Sequence, residues 1–322
     1  MSDYRYLRYE PLDDGAIVRI VLDRPRTRNA QSRGLLVELD AAFTRAEADD
    51  DVRVVILSGA GSAFSSGHDL GTREALAEIA AGPEQHPTYA INGGTRSGTE
   101  LRWIQESHYF LQNTLRWRNL RKITIAQVHG EVFAAGVMLM WACDLIVAGQ
   151  DTRIADPVGP RLGGGGVEYF AHPWELGPRR AKELLLTGDA IDAEEAQRIG
   201  IVSKVFANDQ LEERTLAFAR RIAALPTVAA LVVKDSVNGS VDAQGFQSAL
   251  NNAFALHQLA HSHWAELHAT RAADGGRETP VGERPERAYA GAVATVDDGI
   301  PDWRSAPPVV VAVKDEVRAS ER

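Results

Sequence analysis

The sequence predicts an α/β fold, because short buried strands alternate with helical segments through the first 205 residues. Four runs of apolar, β-branched residues are typical of buried strands, at residues 16–22, 52–58, 123–128 and 144–148. Residues 33–48 carry apolar side chains at helical spacing, including Leu35 and Leu39, and are predicted to form a helix. Ser32 precedes this segment and is a suitable N-cap.

After residue 205 the sequence pattern changes from strands alternating with helices to helices alone. Helical patterns follow at 211–225, 227–237 and 243 to about 267. Beyond them, glycine and proline interrupt every periodic pattern. We therefore predict three parts, namely a core over residues 1–205, a helical region over 206–268 and a loosely ordered tail over 269–322. A further loop-rich segment at 82–99 is predicted to form part of a pocket wall or a flap.

Composition excludes several classes of function. The 322 residues are 44% hydrophobic and 25% charged, which is ordinary for a globular protein, and the net charge of −9 gives nucleic-acid binding no electrostatic support. The sequence contains no apolar run of about 20 residues, so membrane insertion is not expected. A single cysteine, Cys143, cannot form an internal disulfide. With no signal-peptide core in residues 1–5, we expect a cytoplasmic location.

Two turns of small residues follow predicted strands and point to chemistry at a carbonyl group. Residues 63–70 come after the run at 52–57, and residues 130–136 come after the run at 123–128. A strand that ends in small residues and then opens a helix leaves backbone N–H groups without partners. Two such turns side by side could bind one carbonyl oxygen and stabilise the negative charge that develops on it. A thioester or an ester is the expected substrate class.

These residues are part of an ordered series of motifs that resembles a known family. The series is Leu22-Asp23-Arg24-Pro25, Arg28-Asn29-Ala30, Phe64 to Leu70, Gly130 to Ala148, Leu184 to Ile191, Gly200 to Val205 and Lys234 to Asn238. From about residue 17 to residue 251, the chain resembles the crotonase (enoyl-CoA hydratase/isomerase) superfamily. The resemblance implies a ββα spiral core, C-terminal trimerisation helices and an acyl-CoA ligand. It also implies a homotrimer or hexamer, and no cofactor apart from the CoA of the substrate.

The resemblance assigns roles to particular positions. The two oxyanion-hole donors would be the backbone N–H groups of His68 and Ala135. Contacts with CoA would come from Arg24, Arg28, Ala30, Ser66, His68, Asp69 and Leu70. Arginine suits phosphate because its planar fork bonds two oxygens at once. Asp69 enters the next helix and is also expected to cap it.

The two glutamates that enoyl-CoA hydratases of this fold use for proton transfer have no counterpart at the matching positions. The first position, three residues after Ala135, is Met138, and the second, after Asp156-Pro157, is Val158. Neither side chain can transfer a proton. The standard hydratase mechanism therefore cannot operate with these two residues.

Residues 168–175 are the predicted replacement, because other branches of the family place a catalytic carboxylate near this point. Glu168 is expected to act as general base or nucleophile. His172 lies four residues later, so the two would share one face of a helix and could hydrogen-bond. His172 or Tyr169 would then relay the proton.

Four histidines near the end of the helical region resemble metal ligands, at positions 257, 261, 263 and 268. His257 and His261 have i, i+4 spacing, but we see no accompanying set of Glu, Asp or Cys, and the family uses no metal. We therefore predict no metal site, and a trimer-contact or surface face of a helix instead.

Three functions remain open at this level. The leading hypothesis is an acyl-CoA enzyme of the hydratase/isomerase group with a nonstandard acid/base. An acyl-CoA-binding homologue without catalytic activity is the second, favoured by the apolar Met138 and Val158. The third is a hydrolase or dehalogenase-like enzyme in which Glu168 is the nucleophile.

Overall fold

The structure is a computed structural model that describes residues 4–79 and 98–272, with side chains for 4–78 and 98–264. The predicted flap falls almost wholly outside these ranges, and so does nearly all of the predicted tail. The described residues contain ten strands: β1 (Leu7–Leu12), β2 (Ile17–Leu22), β3 (Val54–Gly59), β4 (Ala63–Ser65), β5 (Ile123–Val128), β6 (Glu131–Phe133), β7 (Leu145–Gly149), β8 (Arg153–Ala155), β9 (Ile191–Asp192) and β10 (Lys204–Phe206).

Helices surround the strands. In the described residues they are α1 (Arg33–Ala48), α2 (Arg73–Ile79), α3 (Gly98–Glu106), α4 (Asn113–Arg118), α5 (Ala135–Trp141), α6 (Val158–Leu162), α7 (His172–Leu176), α8 (Pro178–Thr187), α9 (Ala193–Arg198), α10 (Leu211–Ala223), α11 (Thr227–Ala243) and α12 (Phe246–Ala272). A π-helical segment, Ser107–Gln112, joins α3 to α4. Short 3₁₀ turns occupy Asp13–Gly15, Pro25–Thr27 and Asn208–Gln210.

The strands form two sheets that match the predicted spiral. The larger sheet has the order β1-β2-β3-β5-β7-β10, and the smaller has the order β4-β6-β8-β9. Within the larger sheet only the β1–β2 pair is antiparallel. Strands β3 and β5 lie at its centre, and β4 and β6 belong to the smaller sheet directly after them in the chain. The chain therefore crosses from one sheet to the other at two neighbouring places.

The predicted elements of the core are confirmed, with shifts of one or two residues at strand ends. Helix α1 has the predicted bounds, and the Ser32 side chain accepts a hydrogen bond from the Leu35 N–H (3.3 Å). Leu35 and Leu39 are fully buried. Helix α1 packs on one side of the larger sheet, and α10 packs on the other through Leu211. Both faces of the sheet are thus covered, which explains its continuous apolar strands.

A partly buried ion pair connects the C-terminal helices to the core. The Nζ of Lys234, on α11, lies 2.9 Å from Oδ2 of Asp144 and donates to the Lys122 carbonyl (3.0 Å). Asp144 in turn accepts from the Thr124 N–H (2.8 Å), at the start of the central strand β5. Among the described helices, none alone is long and apolar enough to cross a bilayer. Asn208–Ala223 and Thr227–Ala243 qualify only together, as a pair bent by 101°.

Candidate active site

The two small-residue turns lie against each other where β4 and β6 end. Gly67 has a φ of 100°, and a Cβ built on it would lie 3.0 Å from the Phe133 oxygen and 3.2 Å from the Ala135 nitrogen. Gly136 approaches from the other side, since its Cβ would lie 2.4 Å from the Ser65 oxygen. Only glycine lets the two backbones approach this closely. Ala134, at a φ of 47°, adds local strain of the kind found at functional sites.

This packing leaves two main-chain donors without acceptors. The Gln31 backbone pairs with both neighbours of His68, through Gln31 N–H to Gly67 O (2.8 Å) and Asp69 N–H to Gln31 O (3.0 Å). Within the described residues, the His68 N–H itself donates no hydrogen bond. The N–H of Ala135, the first residue of α5, is likewise unused inside that part of the chain. Gly67, which precedes His68, packs against the Ala135 nitrogen, so the two turns that carry these donors are in contact.

The imidazole of His68 is held in one orientation. Its ring stacks on Phe110 with centroids 3.5 Å apart, and its Nε2 donates to Oε2 of Glu168 (3.0 Å). The other ring nitrogen, Nδ1, is buried and has no hydrogen-bond partner among the described residues. Phe110 belongs to the π-helical segment, a rare geometry that is frequent at functional sites.

Glu168 is a buried, ionised carboxylate between two histidines. Its Oε2 binds His68, and its Oε1 lies 3.3 Å from Nε2 of His257. Burial alone would raise the pKa of Glu168, but the charges of His68 and His257 hold it well below its ordinary value of 4.5. Burial would also lower the pKa of His257, but Glu168 and Glu106 raise it to about 9.

The predicted Glu168–His172 contact is wrong. Helix α7 begins only at His172, and residues 163–171 form bends, so the i, i+4 relation does not apply. His172 is fully buried elsewhere, with Nε2 2.9 Å from Oδ2 of Asp156. The Asp156 carboxylate also accepts from the Val158 N–H (3.2 Å) and the Val167 N–H (2.9 Å). The His172–Asp156 pair therefore stabilises the loop that carries Glu168.

Tyr169, the alternative relay, points into the apolar core. Its ring packs edge-on against Phe246 at 5.9 Å, and its side chain is fully buried. Burial raises its pKa above the ordinary value. Tyr169 follows Glu168 in the sequence, but its side chain packs in the core. It is no better placed than His68 to exchange protons with the Glu168 carboxylate.

Glu175 is the last residue of the predicted segment 168–175. Burial raises the pKa of its carboxyl from 4.5 to about 7, and the positive charge of Arg118 opposes this shift. Because the unfolded chain loses this proton near pH 4.5, the folded state is penalised progressively as the pH rises from there to about 7. We expect Glu175→Gln to stabilise the protein at pH 8 by about 2 kcal/mol and to have little effect at pH 4. Urea unfolding at both pH values measures this difference. An equal gain from Glu183→Gln, an exposed position, would contradict it.

The positions predicted to contact CoA lie along one edge of the turn. Segments 28–31 and 66–69 pair through Ser66 N–H to Arg28 O (2.9 Å) and the Gln31 bonds described above. Arg24 and Asp69 bind each other, with Nη1 of Arg24 2.8 Å from Oδ2 of Asp69, and Nη1 of Arg28 lies 3.1 Å from Oε2 of Glu131. Asp69 also accepts from the Thr72 N–H (3.0 Å) just before α2, as expected of a cap. The other five positions along this edge are Arg28, Ala30, Ser66, His68 and Leu70.

The two positions that the family resemblance matches to catalytic glutamates are buried and apolar here. Met138 lies one turn into α5, with 2% of its surface exposed, and Val158 begins α6 with 9% exposed. The structure thus pairs His68 with Glu168 and packs the turn that carries His68 against Ala135. It places His172 in a separate buried pair.

His257 and His261 of α12 do not lie on an exposed face of the helix, and the predicted alternative, a trimer contact, stays a prediction. His257 is buried, with Nδ1 donating to the Gly166 carbonyl (2.8 Å) and Nε2 facing Glu168. His261 places its Nε2 3.4 Å from Oε2 of Glu106, a residue that sequence reasoning missed. His263 is exposed, and the side chain of His268 lies outside the described residues. The missing acidic partners come from α3 and from the loop after α6.

Comparisons with known proteins agree with this fold. The chain matches the family model described as enoyl-CoA hydratase/isomerase over residues 13–89 and 98–268. It is 57% identical to EchA13 of Mycobacterium tuberculosis, whose name assigns it to the enoyl-CoA hydratases, over 97% of this chain and 92% of that protein. A Mycobacterium smegmatis crystal structure named as an enoyl-CoA hydratase has a TM-score of 0.71 and 41% identity, covering 81% of this chain and 97% of that chain.

A third relative has a different reaction in its name. The chain is 30% identical to 4-chlorobenzoyl coenzyme A dehalogenase-2 of an Arthrobacter species, over 73% of this chain and 78% of that protein. The family therefore includes more than one chemistry, and membership does not decide between them. Because the family model matches most of the sequence, and the relative with 57% identity spans nearly all of it, the chain belongs to the enoyl-CoA hydratase/isomerase (crotonase) family of enzymes.

Proposed function

We propose that this chain is an acyl-CoA thioester enzyme of the hydratase/isomerase group. The N–H groups of His68 and Ala135 would bind the thioester oxygen and stabilise the enolate formed during reaction. One observation carries this proposal: Gly67 packs against the Ala135 nitrogen, which brings together two donors without acceptors in the described residues. Such preorganised donors stabilise charge without having to reorient during the reaction.

Proton transfer would be performed by Glu168 together with His68, in place of the two standard glutamates. Met138 and Val158 cannot exchange protons, because neither side chain carries an ionisable group. Glu168 is ionised and holds the Nε2–H of His68, so the buried Nδ1 is the ring atom left to exchange a proton. The carboxylate would fix the ring and stabilise its protonated form, as in other carboxylate–histidine pairs.

The CoA portion would lie along the edge formed by segments 28–31 and 66–70. Arg28, whose side chain is 33% exposed, would contact phosphate in place of its present partner Glu131 (3.1 Å), and the exposed Leu70 would contact the pantetheine arm. Ala30, Ser66 and His68 would complete this edge. Arg24 and Asp69 would support it indirectly, because their side chains already bind each other.

Two alternatives each have one observation in their favour. The identity with the Arthrobacter dehalogenase favours attack by Glu168 as a nucleophile. Against this, both of its oxygens already face histidines, at 3.0 and 3.3 Å, which suits a fixed base better than an attacking group. A binder without catalysis is favoured by Met138 and Val158, but it leaves the Glu168–His68 pair without a purpose.

A single set of assays tests these functions. The protein is incubated with crotonyl-CoA and longer enoyl-CoAs while enoyl absorbance, free thiol and heat of binding are recorded. We expect the enoyl band to change without release of free CoA. Release of free CoA would replace the proposal with a hydrolase, and binding heat without turnover would replace it with a binder. If neither turnover nor binding occurs, the substrate class is wrong.

We also propose that α11 mediates assembly into a trimer or a hexamer. One stretch of this helix exposes large apolar side chains, with 72% of Val228, 55% of Val232 and 59% of Val237 accessible. Val228 and Val232 are four residues apart and share one face of the helix, and an exposed apolar pair on one face is typical of a subunit contact. Val232→Glu is expected to shift the protein to monomers in analytical ultracentrifugation. An assembly unchanged by this substitution would contradict the contact, and a monomeric wild type would contradict the assembly itself.

A further inference from the structure

Four potential metal ligands from three separate parts of the chain converge beside the proposed active site. Their ligand atoms all lie within 4.8 Å of one another. Three of the side chains are buried, and the fourth, that of His261, is 30% exposed. We propose a binding site for one divalent transition-metal ion, formed by Glu106, Glu168, His257 and His261. The proposed function does not depend on this site, and the site does not depend on the proposed function.

The spacing of the ligand atoms fits a metal better than it fits hydrogen bonds. Nε2 of His257 lies 3.3 Å from Glu168 Oε1 and 3.8 Å from Glu106 Oε2, and Nε2 of His261 lies 3.4 Å from the same Glu106 oxygen. Ligands about 2.0–2.1 Å from a tetrahedral zinc lie about 3.3–3.4 Å from one another. Charge-assisted hydrogen bonds are shorter, at about 2.7–2.9 Å. Both Nε2 atoms are buried and have no hydrogen-bond partner among the described residues.

The surrounding groups orient these ligands as metal ligands are usually oriented. Nδ1 of His257 donates to the Gly166 carbonyl (2.8 Å), so in the neutral ring the lone pair is on Nε2 and faces the cluster. The Gln258 side chain donates to Oε2 of Glu106 and fixes that carboxylate (2.6 Å). Oε2 of Glu168 is hydrogen-bonded to His68, so only Oε1 of Glu168 faces the cluster. The two proposed roles of Glu168 therefore use different oxygens.

Charge and access are also suitable. Two buried carboxylates, Glu106 and Glu168, lie in the cluster and offer negative charge to a cation. Two imidazoles with two carboxylates are a donor set for zinc and its first-row neighbours rather than for magnesium or calcium. The partly exposed side chain of His261 provides a route from solvent.

Metal titration of the full-length protein tests this site without any CoA ligand. Protein stripped with EDTA and dialysed is titrated with ZnCl₂ by calorimetry and with CoCl₂ by visible absorption. We expect about one ion per chain and the intense cobalt bands of tetrahedral coordination. Glu106→Gln and His261→Ala should abolish stoichiometric binding, and Gln258→Met should weaken it by about 10–100-fold. Circular dichroism verifies that each variant is folded.

His263→Ala is the matched control, because His263 lies on the same helix but is exposed. It should bind zinc as the wild type does. Absence of saturable binding to the wild type, or an equal loss in His263→Ala, would overturn the site. A protein that binds zinc but does not turn over enoyl-CoA would refute only the proposed function. Turnover without zinc binding would refute only the metal site.

Discussion

Replacing Glu168 with glutamine is expected to lower kcat on an enoyl-CoA by about 10²–10⁴-fold, the usual contribution of a positioned acid or base. Glutamine has the same shape, but it is neutral and cannot stabilise a protonated His68. KM should change little, because the N–H groups of His68 and Ala135 remain in place. Steady-state kinetics on the substrate identified above measure both constants.

His68→Phe separates the imidazole from the main chain at the same position. It keeps the backbone N–H and the stacked contact with Phe110, but it loses both ring nitrogens. If Glu168 and His68 act as one unit, each single variant and the double variant should lose similar activity. A Glu168→Gln enzyme with unchanged kcat would remove the residue from the mechanism. Additive losses would show two independent roles.

The second large effect is expected at Gly67. In Gly67→Ala the new Cβ would lie 3.0 Å from the Phe133 oxygen and 3.2 Å from the Ala135 nitrogen, at a φ of 100° that suits only glycine. The two turns must move apart, which separates the N–H groups that would share one oxygen. We expect kcat/KM to fall by about 10²–10³-fold, as when one oxyanion donor is removed.

Gly200→Ala is the control for backbone strain. Gly200 also has a positive φ, of 90°, but a Cβ there would meet no atom within 4 Å. Both variants should lose about 1–3 kcal/mol of stability from the strained backbone, and thermal melts will compare them. Only Gly67→Ala should lose activity at a temperature where both are folded. Equal activity in the two variants would contradict an oxyanion hole at this turn.

Elements governed by local sequence could be predicted. Helix α1 follows from its apolar spacing and from Ser32, and the Ser32 side chain does cap it. The central strands follow from continuous apolar runs, because a strand covered on both faces needs no polar alternation. The two turns were visible as small residues after strands. Their mutual contact depends on the order of strands in the sheets, which the family resemblance supplied.

The partners of Glu168 could not be predicted in the same way. The expected His172 contact assumed a helix that starts four residues too early, although Gly163–Gly166 and Pro173 lie in or beside that stretch. The actual partners, His68 and His257, lie 100 and 89 positions away, respectively. Glu106 carries no motif, and Gln258, which binds it, lies 152 positions further along. Such contacts arise from tertiary packing and leave no local periodicity.

The π-helical segment Ser107–Gln112 has a consequence for insertions and deletions. A regular α-helix rotates by about 100° per residue, so each added or deleted residue changes the direction of every side chain beyond it. Shortening this segment by one residue would turn α3 relative to α4 by that angle and carry Glu106 away from the α12 histidines. The π-helical segment therefore determines the rotation of α3 relative to α4. Its length should be fixed even where its residues are free to vary.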